Sequence, residues 1–345
     1  MTVSTASFEN WVRAMPKAEL HLHIDGSLEA RRLLQAAAKN GVDIPYSDEA
    51  SVLAAYDFAD LQSFLDLYYL GASVIRDEED FYHLTMDYLQ MCRQQNIVHT
   101  EIMVEPQTYT ANGIAFETLM NGTLRAVQQA REEWGQSVLL ILSLLRHLSE
   151  QDCLDTLAAA DPWRAHFAGL GLASSENGHP PEKFLRLYAA ARERGYYTTA
   201  HAGEEGPAVN IATSLDQLKV QRIDHGIRCT EAPALMARLE REQVPLTVCP
   251  LSNVRLKSFA TLADHNIMDM FRAGLLVTVN SDDPAYFGGY LNENLIGLHT
   301  ALGMTGEECL QLVRNGFLAS MLDDADKQRC LARLDAWCED NPVPA

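Results

Sequence analysis

Short apolar runs recur along the chain, each ending in a polar tip and followed by a longer amphipathic stretch. Eight stand out, at residues 18–24, 98–104, 138–144, 168–172, 196–201, 222–226, 245–249 and 275–280. Continuous apolar runs of this length suit parallel strands covered on both faces, and parallel neighbours must be joined by crossovers, usually helices. The intervening spacing predicts such helices. Residues 181–193 place Phe184, Leu185, Leu187 and Tyr188 on one face, and 235–242 and 267–273 behave alike. Eight strand–helix units predict an α/β fold, a closed (β/α)8 barrel of the TIM type. A doubly wound open sheet is the alternative on pattern alone.

Two segments exceed the minimum unit. Residues 28–95 carry helical patterns at 60–70 and 80–93. An insertion after the first strand sits at the mouth of a barrel, so this one is expected to be a helical lid. The tail beyond Met304 also reads as helical, with Leu310, Leu312, Val313 and Phe317 at suitable spacing. No Pro/Gly/Ser linker or low-complexity tract divides the chain, so 1–345 is read as one barrel domain.

Charge narrows the partners. With 27 basic and 47 acidic residues the formal net charge is -20. That argues against a nucleic-acid backbone, which needs clustered Lys and Arg to displace counterions, and against an anionic membrane surface. Seven dispersed cysteines without a CxxC pair suit a reducing cytosol. No signal-peptide pattern and no apolar stretch of membrane-spanning length is seen. The expectation is a cytoplasmic protein acting on a small molecule, with a homo-oligomer left open.

Polar groups collect where the predicted strands end. His21 and His23 lie in AELHLHIDG; residues two apart on a strand face the same side, so both imidazoles face the barrel axis. His201 ends another run, in TTAHAGEEG. Ala202 and Gly203 then leave room before Glu204 and Glu205. His225 tips a third run, in RIDHG, and Asp282 and Asp283 follow a fourth, in TVNSDDPAYFGG. Adjacent buried carboxylates repel one another and need a metal or a proton as partner. A solvated helix start explains Glu204 and Glu205, and a turn explains Asp283, but neither explains the histidines. Catalytic zinc sites use His nitrogen and carboxylate oxygen and keep one position open, and barrel active sites sit at the strand C-termini. One barrel mouth can therefore gather His21, His23, His201 and Asp282 around a single ion.

These segments resemble a known family. HLHIDG, HAGEE, RIDHG and NSDDP, in this order and spread over residues 16–294, are similar to the signature segments of the adenosine and adenine deaminases of the amidohydrolase superfamily. SSENGHPPEKF, CPLSNV and SDDPAYFGGYLNEN look closest to the branch acting on the free base. The resemblance implies one zinc per chain on His21, His23, His201 and Asp282. It implies that Glu204 protonates ring nitrogen 1 while carbon 6 is attacked, that His225 orients and helps deprotonate the water, and that Asp283 hydrogen-bonds nitrogen 7. Ser174 and Ser175, in the segment 172–176, are the candidates for nitrogen 3. The implied reaction is zinc-dependent hydrolysis of adenine, or an N6-substituted adenine, to hypoxanthine with release of ammonia or an amine, in purine salvage. Deamination of adenosine to inosine is the alternative. Asp25 stands where that branch usually has Glu. The shorter carboxylate implies extra room for a ribose or a substituent on the exocyclic amine. With Tyr286, Phe287 and Tyr290 expected to crowd the mouth, that room is expected to serve an N6 substituent more than a ribose.

Two other classes compete. A two-metal hydrolase acting on an ester or lactam needs a bridging carboxylated Lys, and none of the predicted strand ends carries Lys. A purine-sensing barrel without activity has no need of Glu204, His225 and Asp283 together.

Overall fold

The computed structural model describes residues 5–344. Each of the eight apolar runs is a strand: β1 (Lys17–His23), β2 (Ile97–Val104), β3 (Ser137–Leu145), β4 (Phe167–Ala173), β5 (Tyr197–Ala202), β6 (Arg222–His225), β7 (Leu246–Val248) and β8 (Val277–Val279). Neighbours pair in parallel and in chain order from β1 to β8, with helices between them, which makes a (β/α)8 barrel. Strands β1, β6, β7 and β8 are buried at every residue, as expected for a sheet covered outside by helices and filled inside by side chains.

The seam between β8 and β1 has no regular ladder among the described residues. It closes three residues beyond β8, at a bridge between Leu22 and Asp282. There His23 N–H donates to the Asp282 carbonyl (3.0 Å) and Asp282 N–H to the His21 carbonyl (3.1 Å). Leu20 N–H adds a bond to Asn280 Oδ1 (2.8 Å). Barrel closure and the placing of Asp282 beside the two β1 histidines are thus one event.

Helix α1 (Thr5–Ala14) precedes the barrel. Between β1 and β2 lie α2 (Ala30–Asn40), α3 (Glu49–Ala54), α4 (Leu61–Ala72) and α5 (Glu78–Gln94). Asp48, Asp60 and Asp77 start the last three, each carboxylate accepting a backbone N–H three residues on. Helix α4 packs Phe64 against Phe287 and Tyr286, with ring centroids 4.7 and 5.6 Å apart, tying this segment to the loop after β8.

The expected helix at 181–193 is a 3-10 turn, Pro181–Phe184, running into an α-helix, Leu185–Glu193. Its buried face carries Phe184, Leu187, Tyr188 and Ala191. Leu185 is 42% exposed, a correction to its expected place, because it lies about 100° round from that stripe. In the tail, Gly306–Leu318 buries Leu312, Val313 and Phe317, and Leu310 is half-buried. Among the described residues no helix is long and apolar enough to cross a membrane.

Candidate metal and catalytic centre

His21 and His23 both turn their Nε2 atoms to His201 Nε2 at the end of β5, at 3.1 and 3.2 Å. Asp282 Oδ1 lies 3.2 Å from His21 Nε2 and 3.3 Å from His23 Nε2. Donor atoms held at about 2.0–2.1 Å by one tetrahedral ion stand about 3.3 Å apart, so these four atoms already have ligand-to-ligand spacing. Burial lowers the His201 pKa to about 4, leaving a neutral imidazole, the form that binds metals. Facing imidazole lone pairs repel unless a cation lies between them. The donor set therefore fits a divalent metal.

The far side of each ligand is also held. His21 Nδ1 meets the Thr247 carbonyl (3.2 Å) and hydroxyl (3.1 Å), His23 Nδ1 meets Glu105 Oε1 (2.7 Å), and His201 Nδ1 lies 3.5 Å from Asp224 Oδ2. Ser252 donates to Asp282 Oδ2 (2.6 Å). Partners of this kind set the tautomer and leave the inner nitrogen free for the metal. Sequence reasoning missed Glu105 and Asp224. The available signal was their place at the ends of β2 and β6, where a carboxylate is as anomalous as a histidine.

Three further groups complete the site. Glu204 follows β5, and its carboxylate lies 3.5 Å from His225 Nε2 at the tip of β6; His225 Nε2 is 3.8 Å from Asp282 Oδ2. Asp283 packs over the β1 tip, where a Cβ on Gly26 would come within 2.0 Å of Asp283 Oδ1; only glycine admits that approach. Burial, then the charges of Asp282, Glu205 and Glu176, raises Glu204 well above the carboxylate range. Burial and Asp282 do the same to Asp283. Burial pushes His225 well below the usual imidazole range, against the opposing pull of Asp282. Among the described residues seven non-glycine residues have positive φ, and three of them, Ser174 (75°), His225 (64°) and Asp282 (64°), line this one cavity. Backbone strain of this kind persists only where the surroundings enforce it.

Glu176 holds the loop that carries Glu204. Its buried carboxylate accepts the backbone N–H groups of Gly203 (3.0 Å), Glu204 (3.1 Å), Glu205 (3.2 Å) and Gly206 (2.8 Å), and Asn210 Nδ2 (2.7 Å). Glu176→Ala strips five donors of their acceptor. Each unsatisfied buried donor costs about 1–3 kcal/mol, so even with water replacing some bonds we expect a loss of about 2 kcal/mol or more. Denaturant unfolding checks the loss, and amide exchange should quicken at residues 203–206. Unchanged exchange there would rule the clamp out.

The cavity is lined by His23, His201, Glu204, His225, Asp282 and Asp283 at its base. Leu61, Phe64, Leu65, Tyr68 and Tyr69 of α4 form one wall, and Leu145, Ser174 and Leu256 also line the cavity. Ser174 hydrogen-bonds His147 Nδ1 (2.8 Å) and Tyr69 (3.3 Å); Ser175 is half-buried and does not line the cavity. Asp25 lies behind the wall, accepting from Tyr109 and, at 3.5 Å, from Tyr68. Burial, with Glu105 nearby, raises its pKa to about 7. The expected crowding by Tyr286, Phe287 and Tyr290 is corrected. Tyr286 and Phe287 are buried against Tyr56, Phe58 and Phe64, and Tyr290 bonds Glu29 (2.7 Å). The apolar wall comes from α4, and Tyr286 and Phe287 brace it from behind through Phe64.

The family model described as adenosine deaminase matches residues 16–337. An adenine deaminase of Hahella chejuensis is 52% identical over 333 residues, 96% of this chain and 100% of the relative. The solved structure of an adenine deaminase from Arthrobacter aurescens superposes with a TM-score of 0.92 at 47% identity, covering 94% of this chain and 100% of the other. An amidohydrolase from Burkholderia ambifaria, solved with bound zinc, gives a TM-score of 0.88 at 25% identity, covering 99% of this chain and 96% of the other.

Proposed function

The chain belongs to the adenosine deaminase family, and from that premise we propose that it hydrolyses the 6-amino group of adenine, giving hypoxanthine and ammonia. The observation that carries this reading is the meeting, in one cavity, of a His/Asp metal-binding cluster with Glu204, His225 and Asp283. We assign one zinc per chain to His21, His23, His201 and Asp282. The bound zinc of the Burkholderia relative supports the choice of metal. When present, such an ion supplies Lewis acidity, which makes water a competent nucleophile near neutral pH.

The protein's own groups then divide the work. Glu204 is kept protonated by burial and by its acidic neighbours, so it can deliver a proton to ring nitrogen 1. That makes carbon 6 electrophilic. Asp283, also kept protonated, presents an O–H to nitrogen 7, which only accepts. His225 faces the reacting side from beside Glu204 and orients the water. Ser174, on the cavity lining beside Tyr69, stays the candidate for nitrogen 3; Ser175, one residue further on, acts at most through the backbone. Helix α4 supplies five lining residues, which supports reading 28–95 as the lid of a single barrel enzyme. All seven cysteines are free, in keeping with a cytoplasmic enzyme of purine salvage. An ultraviolet assay on the zinc-loaded protein tests the activity. Adenine should be converted to hypoxanthine, and failure to convert it, or a strong preference for adenosine, overturns the reading.

Asp25 tunes the pocket through Tyr68. The Asp25→Glu change adds one methylene behind a ring that lines the cavity. Shape changes of that size are worth about 1–3 kcal/mol, or roughly 10- to 200-fold. The wild type should therefore accept N6-alkyl adenines beside adenine. In Asp25→Glu the ratio of kcat/KM for N6-methyladenine to that for adenine should fall by about 10-fold or more. An unchanged ratio would detach Asp25 from specificity.

A further inference from the structure

His225 is backed by a buried chain of hydrogen bonds whose direction is set at its far end. Ile267 opens the helix Ile267–Arg272, and its backbone N–H has no partner within that helix. It donates to His265 Nδ1 (3.0 Å). A backbone N–H is always a donor, so His265 Nδ1 must be bare, and the neutral ring carries its proton on Nε2. Burial drives the His265 pKa down to about 3, which keeps that ring neutral. His265 Nε2 lies 3.1 Å from Asn253 Oδ1 and donates to it. The orientation of the Asn253 amide follows from this bond. Its Nδ2 then faces His225 Nδ1 at 3.4 Å and donates in turn. Asn253 is fully buried, and Phe259 packs against the His265 ring with centroids 4.3 Å apart and the planes tilted by 35°, so neither group is free to turn over.

We propose that Asn253 and His265 are positioning residues that hold His225 in the tautomer bearing its proton on Nε2. His225 then meets the attacking oxygen as a hydrogen-bond donor and not as its base. This rests on the deaminase reading above and departs from one role that the family resemblance implies: His225 orients the water but does not deprotonate it. His225 Nε2 is buried with no hydrogen-bond partner in the protein, and it lies 3.8 Å from Asp282 Oδ2, a carboxylate oxygen that accepts, as an N–H requires. The proton balance closes on Glu204 alone. Its proton goes to ring nitrogen 1, the water oxygen bonds to carbon 6, and the proton shed by the water returns to the vacated Glu204 carboxylate. Glu204 then passes that proton to the 6-amino group as the carbon–nitrogen bond breaks and ammonia leaves, and the remaining hydroxyl proton restores Glu204 as the carbonyl forms.

The test joins a spectroscopic and a kinetic measurement on the zinc-loaded protein. With 15N-labelled histidine, the His225 signals, assigned by their loss in His225→Gln, should show a protonated Nε2 and a bare Nδ1. A protonated Nδ1 overturns the proposal. Asn253→Asp replaces the donor facing Nδ1 with an acceptor, and so favours the opposite tautomer. Partners of site residues typically contribute about 10- to 100-fold, so kcat for adenine should drop by that factor with KM and zinc content little changed. His265→Leu, which frees the Asn253 amide to flip, should lower kcat as well. His265→Gln, whose amide can accept from Ile267 and donate to Asn253, should restore most of it. Full kcat in Asn253→Asp, or equal losses in the two His265 variants, would overturn the relay. If the wild type fails to deaminate adenine, the functional reading falls, and the 15N spectrum still decides the tautomer.

Discussion

Replacing His201 by alanine is expected to cost the protein its metal and, with it, all measurable turnover of adenine. His201 Nε2 is the atom that both β1 imidazoles approach most closely, at 3.1 and 3.2 Å. Without it, two histidines and one carboxylate remain. Asp224 behind it also loses a partner, in a place where burial penalises a free charge. A catalytic divalent ion lowers the pKa of water from about 15.7 to about 7, so turnover without it should fall on the order of 10⁴-fold or more. Elemental analysis should find one divalent ion per wild-type chain and a marked deficit in His201→Ala. Two ions per chain, with no loss in the variant, would defeat the four-ligand assignment. Far-ultraviolet circular dichroism separates metal loss from unfolding.

The second large effect separates proton delivery from metal binding. Glu204→Gln keeps the size and the backbone bond to Glu176 but removes the transferable proton. Glu204 is not one of the four clustered ligands, so zinc content should hold. Turnover should fall by about 10²- to 10⁴-fold, the span of general acid–base groups. The change should lie mainly in kcat, because the amide can still donate a hydrogen bond to ring nitrogen 1 in the ground state. A variant that retains near-normal kcat takes Glu204 out of the reaction. One that loses zinc places Glu204 in the metal centre instead.

These predictions draw on two kinds of information. The eight strands and the cluster of four candidate metal ligands were legible in the chain itself. A parallel strand buried on both faces must be apolar throughout, so each strand marks itself. Against that background a histidine or aspartate at a strand end costs too much to be incidental. His21, His23, His201 and Asp282 were found on that ground, and the family resemblance then supplied roles for Glu204, His225 and Asp283.

Only the tertiary structure decided which groups hold those residues in place. A carboxylate in the chain looks the same whether it meets water or four backbone N–H groups, so nothing local distinguishes Glu176 from the many solvated acids of a chain with net charge -20. Asn253 and His265 lie in a loop whose hydrogen-bond direction is fixed by the Ile267 amide, and that contact exists only once the loop folds back on the helix start. The aromatic residues make the same point. Tyr286, Phe287 and Tyr290 follow a strand tip, as pocket residues do, and α4 also carries a suitable apolar face. Which set lines the cavity and which set braces it depends on how the 28–95 segment packs over the barrel. Periodicity in a sequence says that a face is apolar; it does not say what that face meets.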